Sequence, residues 1–191
     1  MFSELIRQNR SYRRFDETRP IGRDMLRKLI DLARLSPSGG NLQPLKFVLS
    51  CTPESNATIF PHLAWAGYLK DWPGPAEGER PTGYIVILHD KEVAPGAGCD
   101  HGIAAQSMLL GAVEEGFGGC MIGAVDRKGL RAALRLPDRY DILLVIALGI
   151  PAETVKIETV TDATGVKYWR DDADVHHVPK RSLDDLILDL D

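Results

Sequence analysis

The sequence predicts a domain of mixed helices and strands, α+β or α/β, and three observations carry that prediction. Apolar Met25, Leu26, Leu29, Ile30 and Ala33 recur at helical spacing. Short apolar runs at residues 47–51, 84–88 and 142–148 read as buried strands. Residues 102–113 are apolar or small on nearly every side, with Ile103, Ala104, Ala105, Met108, Leu109, Leu110, Ala112 and Val113. A helix of that kind is buried all round. In so small a domain it hints at a subunit interface. Strand direction does not follow from these runs.

The elements follow in chain order. Ser3 is placed to cap a short helix carrying Leu5 and Ile6. The helix over residues 23–35 stops before Pro37, because the residue preceding a proline avoids the helical region. After the strand at 47–51, Thr52-Pro53-Glu54 opens another helix, with Pro53 suited to the first helical position. Pro61 limits its length. Residues 65–83 combine Pro73, Pro75 and Pro81 with Gly67, Gly74, Gly78 and Gly83, plus Trp65, Tyr68 and Trp72. A loop this long is a lid, a binding loop or a disordered segment. Residues 116–123, GFGGCMIG, form a tight, glycine-dense lead into a strand. Asp126 caps a short helix with Leu130 and Leu134. Residues 142–148, ILLVIAL, make the strongest central strand, and Gly149-Ile150-Pro151 ends it. Beyond Pro151 the pattern is extended chain or hairpins until Ser182-x-x-Asp185, which resembles a capping-box start. That tail has little core of its own, and a second subunit is its natural support.

Composition narrows the function classes. A chain of 191 residues with 44% hydrophobic and 26% charged residues suits a single folded domain. No apolar run approaches the ~20 residues of a membrane helix, so no membrane partner is expected. The start, Met1-Phe2-Ser3-Glu4, lacks a secretory pattern. The three cysteines, Cys51, Cys99 and Cys120, are too scattered for a disulfide framework or a CxxC zinc site. A cytoplasmic protein with reduced thiols is expected. The net charge of −4 argues against a nucleic-acid partner.

Against that acidic balance, Arg7, Arg10, Arg13, Arg14 and Arg19 crowd the first nineteen residues. A solvated basic face explains this, and so does an anion site; an arginine-rich transit peptide is opposed by Glu4, Asp16 and Glu17. Arginine forks with a nearby serine suit a phosphate. The loop Ser36-Pro37-Ser38-Gly39-Gly40-Asn41-Leu42-Gln43-Pro44 is not a P-loop. Its Asn41 and Gln43 offer the amide donors and acceptors that a heterocycle with alternating N–H and C=O edges needs. Gly116-Phe117-Gly118 starts like a dinucleotide fingerprint, but Met121 stands where the third glycine belongs. Tight packing and close approach of backbone to a flat ligand remain even alternatives there. His176 and His177 are adjacent on an extended chain and point to opposite faces, while His62, His89 and His101 show no ligand spacing, so no metal is expected. The histidine pair reads as surface or supporting groups. Asp171-Asp172-x-Asp174 reads as a solvated acidic loop.

Taken in order, these segments resemble the FMN-dependent nitroreductase family. The resemblance rests on Arg10-Ser11-x-Arg13, the SPSGGNLQP loop, AAQSMLLGAVEEGFGGCMIG, ILLVIALGIP and the basic Lys180-Arg181, spread over residues 6–188. It implies an α+β, nitroreductase-like fold: a central, mainly antiparallel sheet flanked by helices, in an intertwined homodimer with two FMN sites at the interface. Residues 1–191 would form one domain, with 65–83 as a lid-like loop and 152–191 as an arm toward the partner subunit. Arg10, Ser11 and Arg13 would meet the flavin phosphate and pyrimidine side. Pro37, Ser38, Gly39, Asn41 and Gln43 would approach the flavin, some from the partner chain. Met121, Ile122 and Gly123 would lie against the isoalloxazine near N5, and Lys180 and Arg181 would complete the phosphate site. Longer family members carry an acidic residue where Ile122 stands, so the expected N5 environment is less polar here.

The implied activity is hydride transfer from NADH or NADPH onto FMN N5, then ping-pong reduction of a small flat acceptor such as a nitroaromatic or a quinone. No side chain is assigned as catalytic, because the flavin carries the redox chemistry. The alternatives are other chemistry on the same flavin (dehalogenation, flavin destruction, dehydrogenation) or a flavin-binding protein without turnover.

Overall fold

A computed structural model describes residues 1–160 and 165–188. The chain divides into two compact units, Met1–Trp65 with Gly74–Ala152, and Ala66–Pro73 with Glu153–Asp191. The expected loop over residues 65–83 is therefore shared between the units. Of the expected arm over 152–191, residues 161–164 and 189–191 lie outside the described residues.

The larger unit begins with α1 (Phe2–Gln8), which buries none of its residues. Ser3 lies inside this helix and does not cap it; Met1 holds the N-cap position with no side-chain bond. Helix α2 (Arg23–Arg34) buries Leu26, Leu29 and Ala33, the stripe its spacing predicts. Strand β1 (Leu45–Ser50) starts two residues earlier than its apolar run. Helix α3 (Pro53–Ile59) opens on a Thr52 capping box closed by Ser55. Strand β2 (Gly83–Asp90) is buried along its whole length. Helix α4 (Asp100–Glu114) buries Ala104, Ala105, Met108, Leu109 and Ala112. Its Ile103, Leu110 and Val113 remain partly exposed in the single chain. Strand β3 (Gly118–Ile122), α5 (Arg127–Ala133) and β4 (Tyr140–Gly149) complete the unit. As expected, Asp126 caps α5, accepting from the Gly129 N–H at 3.0 Å.

Strand order is β1-β2-β4-β3, and every pairing is antiparallel. The fold is thus α+β, with its two most apolar strands in the middle. Side-chain alternation gives the sheet two faces. Ile85, Ile87, Ile146 and Leu148 pack on Leu26 and Leu29 of α2 and Met108 and Leu109 of α4. Each such side chain contributes about 1.5–3 kcal/mol of burial free energy. Tyr84 and Val86 turn to the opposite face.

In the smaller unit, β5 (Val155–Thr159), β6 (Trp169–Arg170) and β7 (His176–Lys180) form a sheet in the order β5-β7-β6. β5 and β7 run parallel, so only β6 and β7 make the expected hairpin. The Ala66–Pro73 segment is held here: Tyr68 packs on Tyr168 at 4.9 Å, and Arg170 lies 4.8 Å over Trp72. Arg170 also pairs with the buried Glu153 at 2.8 Å. His176 is fully buried, which corrects its reading as a surface group. It sits on the middle strand, where alternate residues turn inward, and packs against Tyr168 at 5.2 Å. Both ring nitrogens of His177 face carboxylate acceptors, Nδ1 at 2.7 Å from Glu158 and Nε2 at 2.9 Å from Asp171. Those contacts hold its pKa above the usual histidine value, Asp171 contributing most. Ser182 does bond the Asp185 N–H at 3.2 Å, but the chain makes only a turn there. A cap alone does not sustain a helix whose Leu183, Leu186 and Ile187 stay exposed.

Candidate functional site

The arginine segment leaves α1 and runs beside the start of β3. Ser11 bridges Gly119, and the Tyr12 N–H donates to the Gly119 carbonyl at 3.1 Å. Arg10 donates from Nη2 to the Ile6 carbonyl at 2.7 Å, while its buried Nε has no hydrogen-bond partner among the described residues. Arg13 donates from Nη1 to the Ser11 carbonyl at 3.2 Å. Arg14 is committed to Glu79 at 3.3 Å. The segment is tied to α4 by Asn9, whose amide donates to Gln106 Oε1 at 3.4 Å.

The amide loop is built on the first turn of the same helix. Ser38 Oγ donates to Asp100 Oδ2 at 2.6 Å, and the Gly39 N–H donates to Asp100 Oδ1 at 2.9 Å. The Gln43 N–H then donates to Ser38 Oγ at 2.9 Å. Ser36 and Ser107 share a hydroxyl bond of 2.8 Å. Gly40, Asn41 and Gln43 take φ values of 56°, 55° and 53°, a left-handed backbone that glycine and asparagine adopt most readily. The result presents the Asn41 and Gln43 amides to solvent, 3.3 Å from each other. Pro37, Ser38, Gln43, Asp100 and Phe47 line a cavity of about 310 Å³.

Asp100, Ala104 and Ser107 are spaced as one helix face, so the amide loop runs along that face of α4. Gln106 is turned about 100° from Ser107. The arginine segment and the amide loop of one chain therefore touch different faces of α4.

Strand β3 connects the arginine segment to a third group of predicted residues. Its beginning is filled: a Cβ on Gly118 would meet Tyr12 and Pro151 at 2.6 Å, and one on Gly119 the Ala147 carbonyl at 2.6 Å. Packing thus decides the role of these two glycines. Met121 pairs with Ile146 and faces the α2–α4 side, whereas Ile122 pairs with Val145 and is buried on the other. Gly123 follows the strand, exposed, with nothing within 4 Å of the position a Cβ would take. Close approach of a flat ligand to bare backbone is open at Gly123.

Lys180 and Arg181 lie in the smaller unit, exposed at the end of β7. Arg181 donates to Asp185 at 2.9 Å. Asp100, which organises the amide loop, was missed by the sequence reading. Its only local signal is an acid in the first turn of an otherwise apolar helix, a position that the helix dipole favours.

The gathered groups are guanidinium forks, a hydroxyl, amides and open backbone. They suit an anionic, flat, hydrogen-bonding group. The buried Nε of Arg10 and the space at Gly123 are observations that such a group would satisfy.

Comparison with known proteins bears on the family and the fold. The family model described as the nitroreductase family matches residues 6–74 and 79–150. A protein of Methanothermobacter thermautotrophicus that bears the provisional name NADH dehydrogenase/NAD(P)H nitroreductase is 29% identical over 156 residues, covering 78% of this chain and 77% of its own. A nitroreductase family protein from Clostridium novyi superimposes with a TM-score of 0.64 at 28% identity, covering 79% of this chain and 86% of its own. An FMN-dependent nitroreductase from Clostridium difficile has a TM-score of 0.62 at 23% identity, covering 78% and 87%.

Proposed function

The chain belongs to the nitroreductase family, and from that premise we propose that it is an FMN-dependent oxidoreductase that draws on NADH or NADPH and reduces a flat, electron-poor acceptor such as a nitroaromatic or a quinone, one substrate leaving before the other enters. The observation that carries this reading is the buried Nε of Arg10, without a partner among the described residues, beside a strand whose far end is bare glycine. An FMN-dependent Clostridium difficile protein of similar fold supports it.

When bound, FMN supplies the two-electron hydride chemistry at N5, which no amino-acid side chain can supply. Arg10, Ser11 and Arg13 hold its phosphate and pyrimidine edge with charge-assisted hydrogen bonds. Their positive charge would favour negative charge developing at that edge. Pro37, Ser38, Gly39, Asn41 and Gln43 contribute donors and acceptors from a second copy of the chain, in keeping with the separate faces of α4 that the two segments occupy. Met121, Ile122 and Gly123 meet the ring; for Ile122 only the backbone is available, since its side chain is buried across the sheet. Lys180 and Arg181 add positive charge at the phosphate.

A homodimer is part of this reading. Phe2, Leu35 and Leu42 of the larger unit are 68%, 66% and 54% exposed, apolar side chains that a second copy would cover. Among the described residues no helix is long and apolar enough to cross a membrane. The thiols of Cys51, Cys99 and Cys120, none in a disulfide among the described residues, suit a reducing cytoplasm.

The test is an absorbance spectrum of purified protein with FMN added. Flavin bands that bleach anaerobically with NADH or NADPH are expected. Protein that cannot be reconstituted with FMN would refute the reading. Bands that never bleach would leave flavin binding without this activity.

A further inference from the structure

A cavity of about 630 Å³ lies in the larger unit on the sheet face away from α4. It opens between α3, the start of β2 and residues 77–82. Cys51 beyond the end of β1 lines it, whereas the amide loop precedes the start of β1. At 3.3 Å per residue the two ends of that strand are about 20 Å apart. The volume is within the ~300–1,000 Å³ of small-molecule sites.

Its lining includes a donor set that the chain itself leaves unused. Tyr84 lines the cavity, 1% exposed as a whole residue, and its hydroxyl has no hydrogen-bond partner among the described residues. Such a hydroxyl is free to donate to a polar ligand. The Arg80 guanidinium lies 4.6 Å over the Phe60 ring and pairs with no carboxylate among the described residues. Stacking fixes the guanidinium plane and leaves its edge for a bidentate acceptor. Asn56 spends its carbonyl oxygen on Ser50 and one amide hydrogen on the Thr82 carbonyl at 2.9 Å, which leaves a second amide hydrogen. Phe60 and the surrounding prolines supply flat apolar walls.

Two acids also line the cavity. Glu17 is occupied, accepting the backbone N–H groups of Gly78 at 2.6 Å and Arg80 at 3.4 Å. Glu77 is exposed at the rim. Glu17 and Glu77 disfavour a phosphate carrying roughly −1.5 to −2 charges more strongly than a monoanion, whose one charge can pair directly with Arg80. A cation would compete with Arg80 for the same space.

We propose that this cavity is a binding site, distinct from the flavin site, for a small monocarboxylic acid with a flat apolar body. Its carboxylate meets the Arg80 edge and the Tyr84 hydroxyl, and its body lies against Phe60. The inference does not rest on the flavin reading.

The test uses full-length protein, with and without FMN, titrated with phenylacetate by calorimetry. Benzylamine and phenyl phosphate serve as size-matched controls. Phenylacetate should saturate one site per chain, with both controls at least about tenfold weaker, the effect of losing one charge-assisted hydrogen bond. Tyr84→Phe keeps the buried ring and removes only the hydroxyl, so it should fold and bind about three- to tenfold more weakly. Arg80→Gln, at an exposed position, should weaken binding at least about tenfold. Absent saturation, benzylamine binding as well as phenylacetate, or phenylacetate affinity unchanged in both variants would overturn the proposal. Competition between phenylacetate and FMN would place the acid in the flavin site and overturn it too.

Discussion

Replacing Asp100 by alanine tests how the amide loop is held. The carboxylate accepts from Ser38 Oγ at 2.6 Å and from the Gly39 N–H at 2.9 Å, and it is 6% exposed. Hydrogen bonds to a charged group contribute about 1.5–3 kcal/mol each. Gly39 is exposed, so water recovers part of that loss once the loop lifts. The pair together should then cost about 2–3 kcal/mol, and loss of a negative charge in the first turn of α4 adds about 0.5 kcal/mol. Urea unfolding followed by circular dichroism should show a loss of about 3 kcal/mol. Binding has a further cost. Residues released from the left-handed turn must be ordered again by the ligand, at roughly 1 kcal/mol of backbone entropy each. Two or three such residues weaken FMN binding by about 30- to 150-fold, measured by flavin fluorescence quenching. Asp100→Asn keeps one acceptor oxygen and should lose about half as much in both assays. A variant within about 0.5 kcal/mol of the parent, with unchanged FMN affinity, would refute the anchoring role.

Arg13→Ala should weaken FMN binding by about 1.5–3 kcal/mol with little change in stability, and unchanged affinity would remove Arg13 from the phosphate and pyrimidine site. Two glycines of one segment should part company. Gly119→Ala pushes a methyl against the Ala147 carbonyl and should destabilise by about 1–3 kcal/mol, whereas Gly123→Ala meets nothing within 4 Å and should melt like the parent while binding FMN less tightly. Equal melting of both variants would count against the packing difference. In the smaller unit, the pKa of His177 is raised by Asp171 first and Glu158 second. That contribution to stability is complete below the unfolded histidine pKa of about 6.5 and is lost as pH rises through the higher folded value. Glu158 is lowered, by Lys156 first and His177 second, and Asp171 by His177 first and the Val175 N–H second. Their contributions are present above the unfolded carboxylate values of about 4 and are lost as pH falls through the depressed ones. Protection of β5–β7 amides, the exchange rate taken relative to the intrinsic rate at each pH, should therefore be greatest near about pH 5–6, and His177→Gln should abolish the decline in protection above about pH 6.5.

Short-range pattern was enough for much of this protein. The 3.6-residue spacing of Leu26, Leu29 and Ala33 located α2, and apolar runs located β2 and β4, because burial of one face imposes a period on neighbouring residues. Thr52 and Asp126 announced their helices because a cap bonds only three residues ahead. The Ser182 signal misled for the complementary reason: a cap is local, but a helix also needs a face to bury. The resemblance to a family supplied candidate residues, yet the local pattern held no trace of Asp100 as the anchor of Ser38, sixty-two positions away. Nor did it reveal that Gly118 and Gly119 are filled while Gly123 is open, or that Tyr84 lines a cavity. The antiparallel order β1-β2-β4-β3 and the division of residues 65–83 between two units belong to the same class. Local sequence determines what period and which caps a segment carries. Which distant segments meet, and so which polar groups are left for a ligand, is decided only when the whole chain packs.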